Sequence, residues 1–305
     1  MKKVLHIVDS RDYVSNNCFQ HQLMFALKNL PNHEIHTVPY DELGSLSKAT
    51  GSFDSVISCM KQRTLFRHAE YLKEYVGSTP IVVYDQDPWE SFKDGSPYKG
   101  AYHHIAKHLN VKTFAVTTKW WADYVVTTGL PSTFVSMWVL PTYCDSGSFD
   151  TRKIELGFLG TIHPHRKVLF DELQKYKLNV SVRSSSLPYA DYLRELSDIK
   201  VFLHSEDSKF SVENVSTNMN VGLWVKDIEA AARGCFSIRN RAEGWETYTE
   251  NISTIWFYDK PSEVLDIIEH IRKIDPVERQ HLINHSVEYI RAANKWQETA
   301  KLLVI

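Results

Sequence analysis

Asp227-Ile228-Glu229-Ala230-Ala231-Ala232-Arg233-Gly234-Cys235-Phe236-Ser237-Ile238-Arg239-Asn240-Arg241-Ala242-Glu243-Gly244 reads as an alanine-rich helix that carries a carboxylate, stops at a glycine and runs straight into an apolar strand. Gly234 stands where a helix end wants left-handed backbone, and Cys235 to Ile238 has strand character. On such a helix Glu229 has the chemistry to accept two hydroxyl hydrogen bonds at once. An ordinary amphipathic helix ahead of a buried strand fits these residues equally well, so the rest of the chain must decide.

Length points to two domains, because 305 residues exceed what one hydrophobic core usually fills, and 43% apolar residues supply both cores. With 35 basic and 37 acidic side chains the net charge is -2, which leaves no electrostatic footprint for a nucleic acid. Cys18, Cys59, Cys144 and Cys235 are far apart and form no Cys-x-x-Cys pair, so they read as buried thiols in a reducing compartment. The apolar run Val4 to Val8 is too short for a signal-peptide core or a membrane span. The expected location is cytoplasmic, with no membrane span.

Outward from the opening stretch, strands alternate with helices. In the first half Lys3 to Val8, Glu34 to Val38, Phe53 to Ser58, Ile81 to Tyr84, Lys112 to Thr117 and Phe134 to Leu140 read as strands. Helical spacing appears at Phe19 to Leu30, Thr64 to Val76, Tyr98 to Leu109 and Lys119 to Thr128. Pro141 to Ser148 has turn chemistry and no apolar period, and a second series of strands and helices follows from Ile154. The expected class is α/β: two Rossmann-like, doubly wound parallel-sheet domains facing a cleft. The expected division is 1–145 for the first domain, 146–280 for the second and 281–305 for a C-terminal helix returning to the first.

Four groups of residues in the second half carry a family resemblance. They are Gly157-Phe158-Leu159-Gly160-Thr161 with His163-Pro164-His165-Arg166; Asn218-Met219-Asn220; Lys226-Asp227-Ile228-Glu229; and Ala230-Ala231-Ala232-Arg233-Gly234. From Ile154 to about Ile271 the chain resembles the C-terminal domain of GT-B glycosyltransferases of the spore-maturation-protein type, related to the large family-4 group. The first half matches in architecture alone. The resemblance implies that Glu229 reaches the ribose hydroxyls of a nucleotide-sugar, and that the C-terminal helix braces the first domain. It also implies that side chains and amides, rather than a metal or a cofactor, stabilise the diphosphate; the nucleotide-sugar is substrate. One departure matters: the second glutamate usual eight positions before the helix glutamate is replaced here by Val221.

Each donor-side residue also has a physical rationale. Gly160 follows the domain's first strand, where a missing Cβ lets a sugar-phosphate approach the backbone. Arg166 and Lys167 open the next helix, where two cations and a helix N-terminus suit a diphosphate. The resemblance assigns Lys226 to phosphate, since it falls where spore-maturation-type enzymes tend to carry arginine; Asn218 and Asn220 lie in the long polar loop Ser205 to Gly222, which should border the donor. Gly234 and Glu246, after the second glycine of the opening stretch, complete the donor set.

The first half offers a rival. Ile81-Val82-Val83-Tyr84-Asp85-Gln86-Asp87 is an apolar strand ending in Asp-x-Asp, the arrangement by which GT-A glycosyltransferases hold a divalent metal. A second donor-like series after residue 150 favours GT-B, and then Asp85 or Asp87 is the candidate general base toward an acceptor hydroxyl. His104, one helical turn from His108, is a further candidate base, and a metal site there is disfavoured because no Glu completes a metalloprotease pattern. Asp9, Arg11 and Trp89 are candidate acceptor contacts.

The expected function is metal-independent transfer of a hexose-type group from a nucleotide-sugar to a hydroxyl of a glycan, protein or small-molecule acceptor. A GT-A-like metal-dependent enzyme, a sugar-nucleotide epimerase and a non-catalytic GT-B partner protein are the alternatives.

Overall fold

The computed structural model describes residues 1–10, 18–45, 53–183, 187–206, 209–212, 215–218, 225–242 and 244–305. Its contacts divide into two units. The first comprises Met1–Met137, Lys209–Thr217 and Lys295–Ile305, and the second Trp138–Ser208 and Asn218–Asn294.

In the first unit β1 (Lys2–Val8), α1 (Cys18–Lys28), β2 (His33–Pro39), β3 (Ser55–Cys59), α2 (Gln62–Val76), β4 (Ile81–Asp85), α3 (Ala101–His108), β5 (Val111–Val116), α4 (Lys119–Thr127) and β6 (Ser132–Phe134) follow in order. The strands form one sheet in the order β2-β1-β3-β4-β5-β6, every pair parallel. β3 and β4 are buried along their whole length, as parallel strands covered on both faces must be. α2 buries Gln62, Leu65, Ala69, Leu72 and Val76, a single stripe at steps of three and four residues.

The expected strand from Phe134 to Leu140 is absent. β6 ends at Phe134, and Val135, Met137, Trp138, Val139 and Leu140 are buried without ladder pairing beyond the Val135 amide bond to Val116. The apolar run marks a buried connector, which periodicity alone does not separate from a strand.

The second unit contains β7 (Ile154–Leu159), α5 (Pro164–Lys175), β8 (Ser181–Arg183), α6 (Tyr189–Ser197) and β9 (Ile199–His204). After β10 (Lys209–Val212) and β11 (Val215–Asn218), which pair as a separate two-stranded sheet and group with the first unit up to Thr217, the second unit continues with α7 (Val225–Ala232), β12 (Phe236–Asn240), α8 (Trp245–Thr249), β13 (Ile255–Tyr258), α9 (Pro261–Lys273) and α10 (Pro276–Ala293). The main sheet runs β13-β12-β9-β7-β8, again all parallel. β10 and β11 occupy a stretch expected to be an unstructured loop.

The opening stretch folds as read. α7 ends with Gly234 at φ +74, where its amide bonds Ala231 and the Cys235 amide bonds Ala230, and β12 begins two residues later. A Cβ on Gly234 would stand 2.1 Å from the Ser146 carbonyl oxygen, so no other residue fits. α11 (Lys295–Leu303) groups with the first unit, packing on α1 and donating from Thr299 Oγ1 to Ser136 O.

Numbered within its own unit, each sheet has the strand order 2-1-3-4-5, and the first adds a sixth strand. Both therefore reverse direction beside their first strand, between β1 and β3 and between β7 and β9. Open α/β sheets bind ligands at the carboxyl ends of the strands beside such a reversal.

Candidate functional site

At the reversal of the second sheet, β7 delivers Gly160 and β9 delivers His204, Ser205 and Glu206. Gly160 has φ +140, and a Cβ there would lie 2.6 Å from Lys226 Nζ, which reaches in from the first turn of α7 and bonds Leu159 O at 3.3 Å. Arg166, from the first turn of α5, spans the two strand ends. Its Nε donates to Ser205 O, its Nη1 to Thr161 O and its Nη2 to Glu206 Oε1. At 3% exposure its guanidinium ties the loops together from beneath instead of standing in solvent.

Behind Arg166 runs a sealed chain of charges. His204 places Nε2 3.1 Å from Glu206 Oε1 and Nδ1 2.7 Å from Asp227 Oδ2. Asp227 also accepts from Arg239 Nη1 and Ser237 Oγ, and Arg239 lies over the Trp245 ring at 4.1 Å. Burial raises the Asp227 carboxyl, but His204, Arg239 and Ser237 outweigh it and hold it down at about 2. Burial pulls His204 down to about 4 against the attraction of Asp227.

Both imidazole nitrogens face carboxylate oxygens, and a neutral ring donates from one nitrogen only. Held down at about 4, His204 is neutral at pH 7 and donates to one of these two carboxylates. The charges of Arg166 and Arg239 are then balanced by those of Glu206 and Asp227, and the Lys226 ammonium stands near this neutral group.

The other donor-side residues are placed as follows. Glu229 is buried, and its two carboxylate oxygens accept from the Tyr189 and Tyr192 hydroxyls at 3.2 and 3.0 Å. Lys167 is exposed and pairs with Asp171 one turn on, while exposed Glu246 pairs with Arg241. Gly234 sits at the far end of α7, beside Ser146 and Arg152. Asn218 ends β11, its side chain outside the described residues, as Asn220 is entirely.

In the first unit the carboxyl ends of β3 and β4 enclose a cavity of 130 Å³ lined by Gln20, Cys59 to Arg63, Tyr84 to Asp87 and Glu90. Asp85 and Asp87 meet here: Asp85 Oδ1 accepts the Asp87 amide and Oδ2 the Tyr102 hydroxyl, and Asp87 accepts the Trp89 indole N–H. Tyr102 is fixed by stacking on Phe114, with ring centroids 4.0 Å apart, and by its amide bond to Ser91 Oγ. Burial, then the neighbouring Asp87 charge, pushes Asp85 up to about 7 against these donors. Burial likewise pushes Asp87 up to about 6, opposed by Trp89 and reinforced by Glu90.

Asp9 directly follows β1 and accepts the Lys61 amide with both oxygens, its pKa raised chiefly by burial. Trp89 is half-buried beside Asp87, whereas Phe92 is buried against Tyr102, Trp121 and Tyr124. His104 does not line the cavity; its ring packs on Phe66 of α2 and on His108. Arg11 lies outside the described residues. Among the described residues no group of three or more His, Cys, Asp or Glu is placed to hold a metal ion, and no helix is long and apolar enough to cross a membrane.

Sequence reasoning missed His204, Glu206 and Arg239 in the second unit and Gln20, Gln62 and Gln86 in the first. The one available signal was His204-x-Glu206 at the end of a buried strand, two polar residues on the same face where the apolar run stops.

Residues 154–304 match a family described as Glycosyl transferase-like. Over the full chain the fold is similar to that of an alpha-glucosyltransferase solved with UDP and a 13-mer DNA containing a central A:G mismatch. That likeness has a TM-score of 0.64 and 9% identity and covers 100% of this chain and 99% of that one. Sucrose-phosphate synthase from Thermosynechococcus elongatus gives 0.63 at 11% identity, covering 99% and 97%. The N-terminal domain of Candida albicans trehalose-6-phosphate phosphatase gives 0.61 at 8% identity, covering 99% and 96%. No curated protein matches the sequence. The chain thus has the two Rossmann-like sheets of the GT-B fold.

Proposed function

We propose that this protein moves a sugar from a nucleotide-sugar held by the second unit to a hydroxyl of an acceptor held by the first, without a metal. The observation that carries the reading is the switch point of the second sheet, where Gly160, in left-handed backbone at φ +140, lies beside Lys226 Nζ between the strand-end loops that Arg166 ties together. An anionic diphosphate suits that place, because fixed cations stabilise the negative charge its leaving oxygen gains.

In the transfer, the acceptor oxygen forms a bond to the anomeric carbon as that carbon's bond to the diphosphate oxygen breaks. The diphosphate leaves with the electron pair, and the hydroxyl proton passes to Asp85 or Asp87. Lys226 meets the leaving group, Arg166 holds the loops that shape its seat, and Glu229 takes the ribose hydroxyls together with the phenols of Tyr189 and Tyr192. Lys167, Asn218, Asn220 and Glu246 are secondary donor contacts.

A ligand bound only by the native state raises apparent stability, so the first test is thermal unfolding against a panel of nucleotide-sugars. At least one should raise Tm in the wild type, and Lys226→Ala and Glu229→Ala should each weaken it by about tenfold, or ~1.4 kcal/mol. A panel in which nothing binds overturns the reading. Because the base must be ionised, kcat/KM for transfer should rise with pH to a plateau above about 7, where Asp85 has lost its proton. Asp85→Asn should lower it by roughly 10²–10⁴-fold, the usual range for general-base catalysis. Release of free epimerised sugar with no acceptor present would instead mark an epimerase.

A further inference from the structure

The cavity of the first unit holds polar atoms that have no protein partner. Gln62, 4% exposed, leaves both its Oε1 and its Nε2 unpaired. Gln20, 1% exposed, donates its Nε2 to Cys59 O at 2.9 Å, which fixes the amide and leaves Oε1 unpaired. The half-buried Gln86 leaves Nε2 unpaired. All three line the same cavity as Asp85 and Asp87. Burying an amide without a partner costs about 1–3 kcal/mol, so such groups are satisfied in folded proteins unless something else is meant to satisfy them. Three in one cavity of this size indicate a ligand.

The mixture of groups says which kind. Two unpaired acceptors on Gln20 and Gln62, two unpaired donors on Gln62 and Gln86, and the carboxyls of Asp85 and Asp87 form an alternating set. A sugar hydroxyl donates one hydrogen bond and accepts others, and planar amides and carboxyls can grip two neighbouring hydroxyls at once. A phosphate would meet three carboxyls, those of Asp85, Asp87 and Glu90, against the two cations Lys61 and Arg63. A divalent cation would leave the amide N–H groups of Gln62 and Gln86 unused, and both oxygens of Asp85 already accept bonds from within the unit. A purely apolar group would leave every unpaired atom as it is.

We propose that this cavity binds a neutral, polyhydroxylated ring, the terminal monosaccharide of the acceptor, through the carboxamides of Gln20, Gln62 and Gln86, so that one of its hydroxyls reaches the Asp85–Asp87 pair. The role as acceptor rests on the transferase reading, whereas the binding chemistry does not.

The test uses the full chain labelled with ¹⁵N, the side-chain amide resonances of Gln20, Gln62 and Gln86 being assigned from the Leu variants. Probes are the methyl α-glycosides of glucose, galactose and mannose at millimolar concentration, with cyclohexanemethanol, magnesium chloride and UDP as comparators. At least one glycoside should shift the three resonances while cyclohexanemethanol does not. Gln62→Leu and Gln20→Leu should each weaken that glycoside by about tenfold and leave any UDP-induced Tm shift unchanged. Gln86→Leu, at a less buried position, serves the same purpose if either variant fails to fold.

If no glycoside shifts the amides, the proposal fails, and a retained UDP effect on Tm leaves the transferase reading standing. A shift caused by magnesium or by UDP in place of the glycosides also overturns it, assigning the cavity to a cation or to the donor. Glycoside binding without any nucleotide binding would support this cavity while sinking the transferase reading.

Discussion

The two sheets share a strand order but end differently. At the carboxyl edge of the second, every charge in the Arg166–Glu206–His204–Asp227–Arg239 chain meets an opposite charge or a hydrogen-bond partner and is shut away from solvent. At the carboxyl edge of the first, two carboxyls are pushed up toward neutral pH and three carboxamides keep unpaired atoms around an open cavity. Charges paired with each other set the shape of a site, whereas polar groups left unpaired define what enters it. The comparison predicts opposite responses when polar groups are removed from the two places.

The largest effect should come from the paired side. Asp227→Ala strips His204, Arg239 and Ser237 of a shared acceptor inside the fold, and removing one member of a buried ion pair typically costs about 3–5 kcal/mol. Unfolding in urea, followed by far-UV circular dichroism, measures it. The sign of the pH dependence is set by a carboxyl held below its unfolded value. Its stabilisation is present above about 4 and lost as pH falls toward about 2. Wild type should lose that increment in acid, and the alanine variant should have none to lose. A loss under about 1 kcal/mol at neutral pH would mean that this chain is not a scaffold.

Next in size is Gly234→Ala. It forces a side chain into left-handed backbone and drives Cβ to 2.1 Å from a carbonyl oxygen that belongs to the backbone and cannot swing aside. A cost of about 2–3 kcal/mol is expected. An unchanged urea midpoint would show that the α7–β12 corner can relax, and would weaken the view of the second unit as rigidly preorganised.

Asp85→Asn probes the unpaired side, and its sign is reversed. A carboxyl raised to about 7 contributes stability that is fully present below about pH 4 and is lost as pH rises through about 7. The asparagine variant should therefore match or fall slightly below wild type at pH 4 and exceed it at pH 8, by on the order of 1–2 kcal/mol. Equal stability differences at both pH values would place the ionisation elsewhere.

Much of this architecture was legible in the sequence because each buried parallel strand is a short apolar run followed by a helical period. The Asp227–Gly244 stretch displays both, with the glycine between them. Phe134 to Leu140 misled because a buried connector has the same composition as a strand. The pairing of β10 with β11 was hidden because Lys209 to Asn218 is polar enough to read as loop. Part of the cavity lining was legible where one residue type suffices, as with the acidic pair Asp85 and Asp87 after the apolar run of β4. The rest was hidden because it depends on partners distant in the chain. His204 and Asp227 are 23 positions apart, and Gln62 shares its cavity with residues of α1 and β4 that lie far from it in the chain. In sequence a glutamine at the start of an amphipathic helix looks like any solvated residue.

The smallest effect is the sharpest discriminator. Gln62→Leu replaces a buried carboxamide that has no partner with an apolar group of similar reach. If the amide exists for a ligand, the free protein carries it at a cost, and the leucine variant should be more stable by about 1 kcal/mol while losing affinity for the glycoside. Stability set against function is the signature of a strained site. The same reasoning forbids any such gain at Asp227, where the polar group already has partners, so the two substitutions must move the urea midpoint in opposite directions. Destabilisation by Gln62→Leu as large as that by Asp227→Ala would show that the carboxamide is structurally engaged, and the contrast between the two carboxyl edges would be lost.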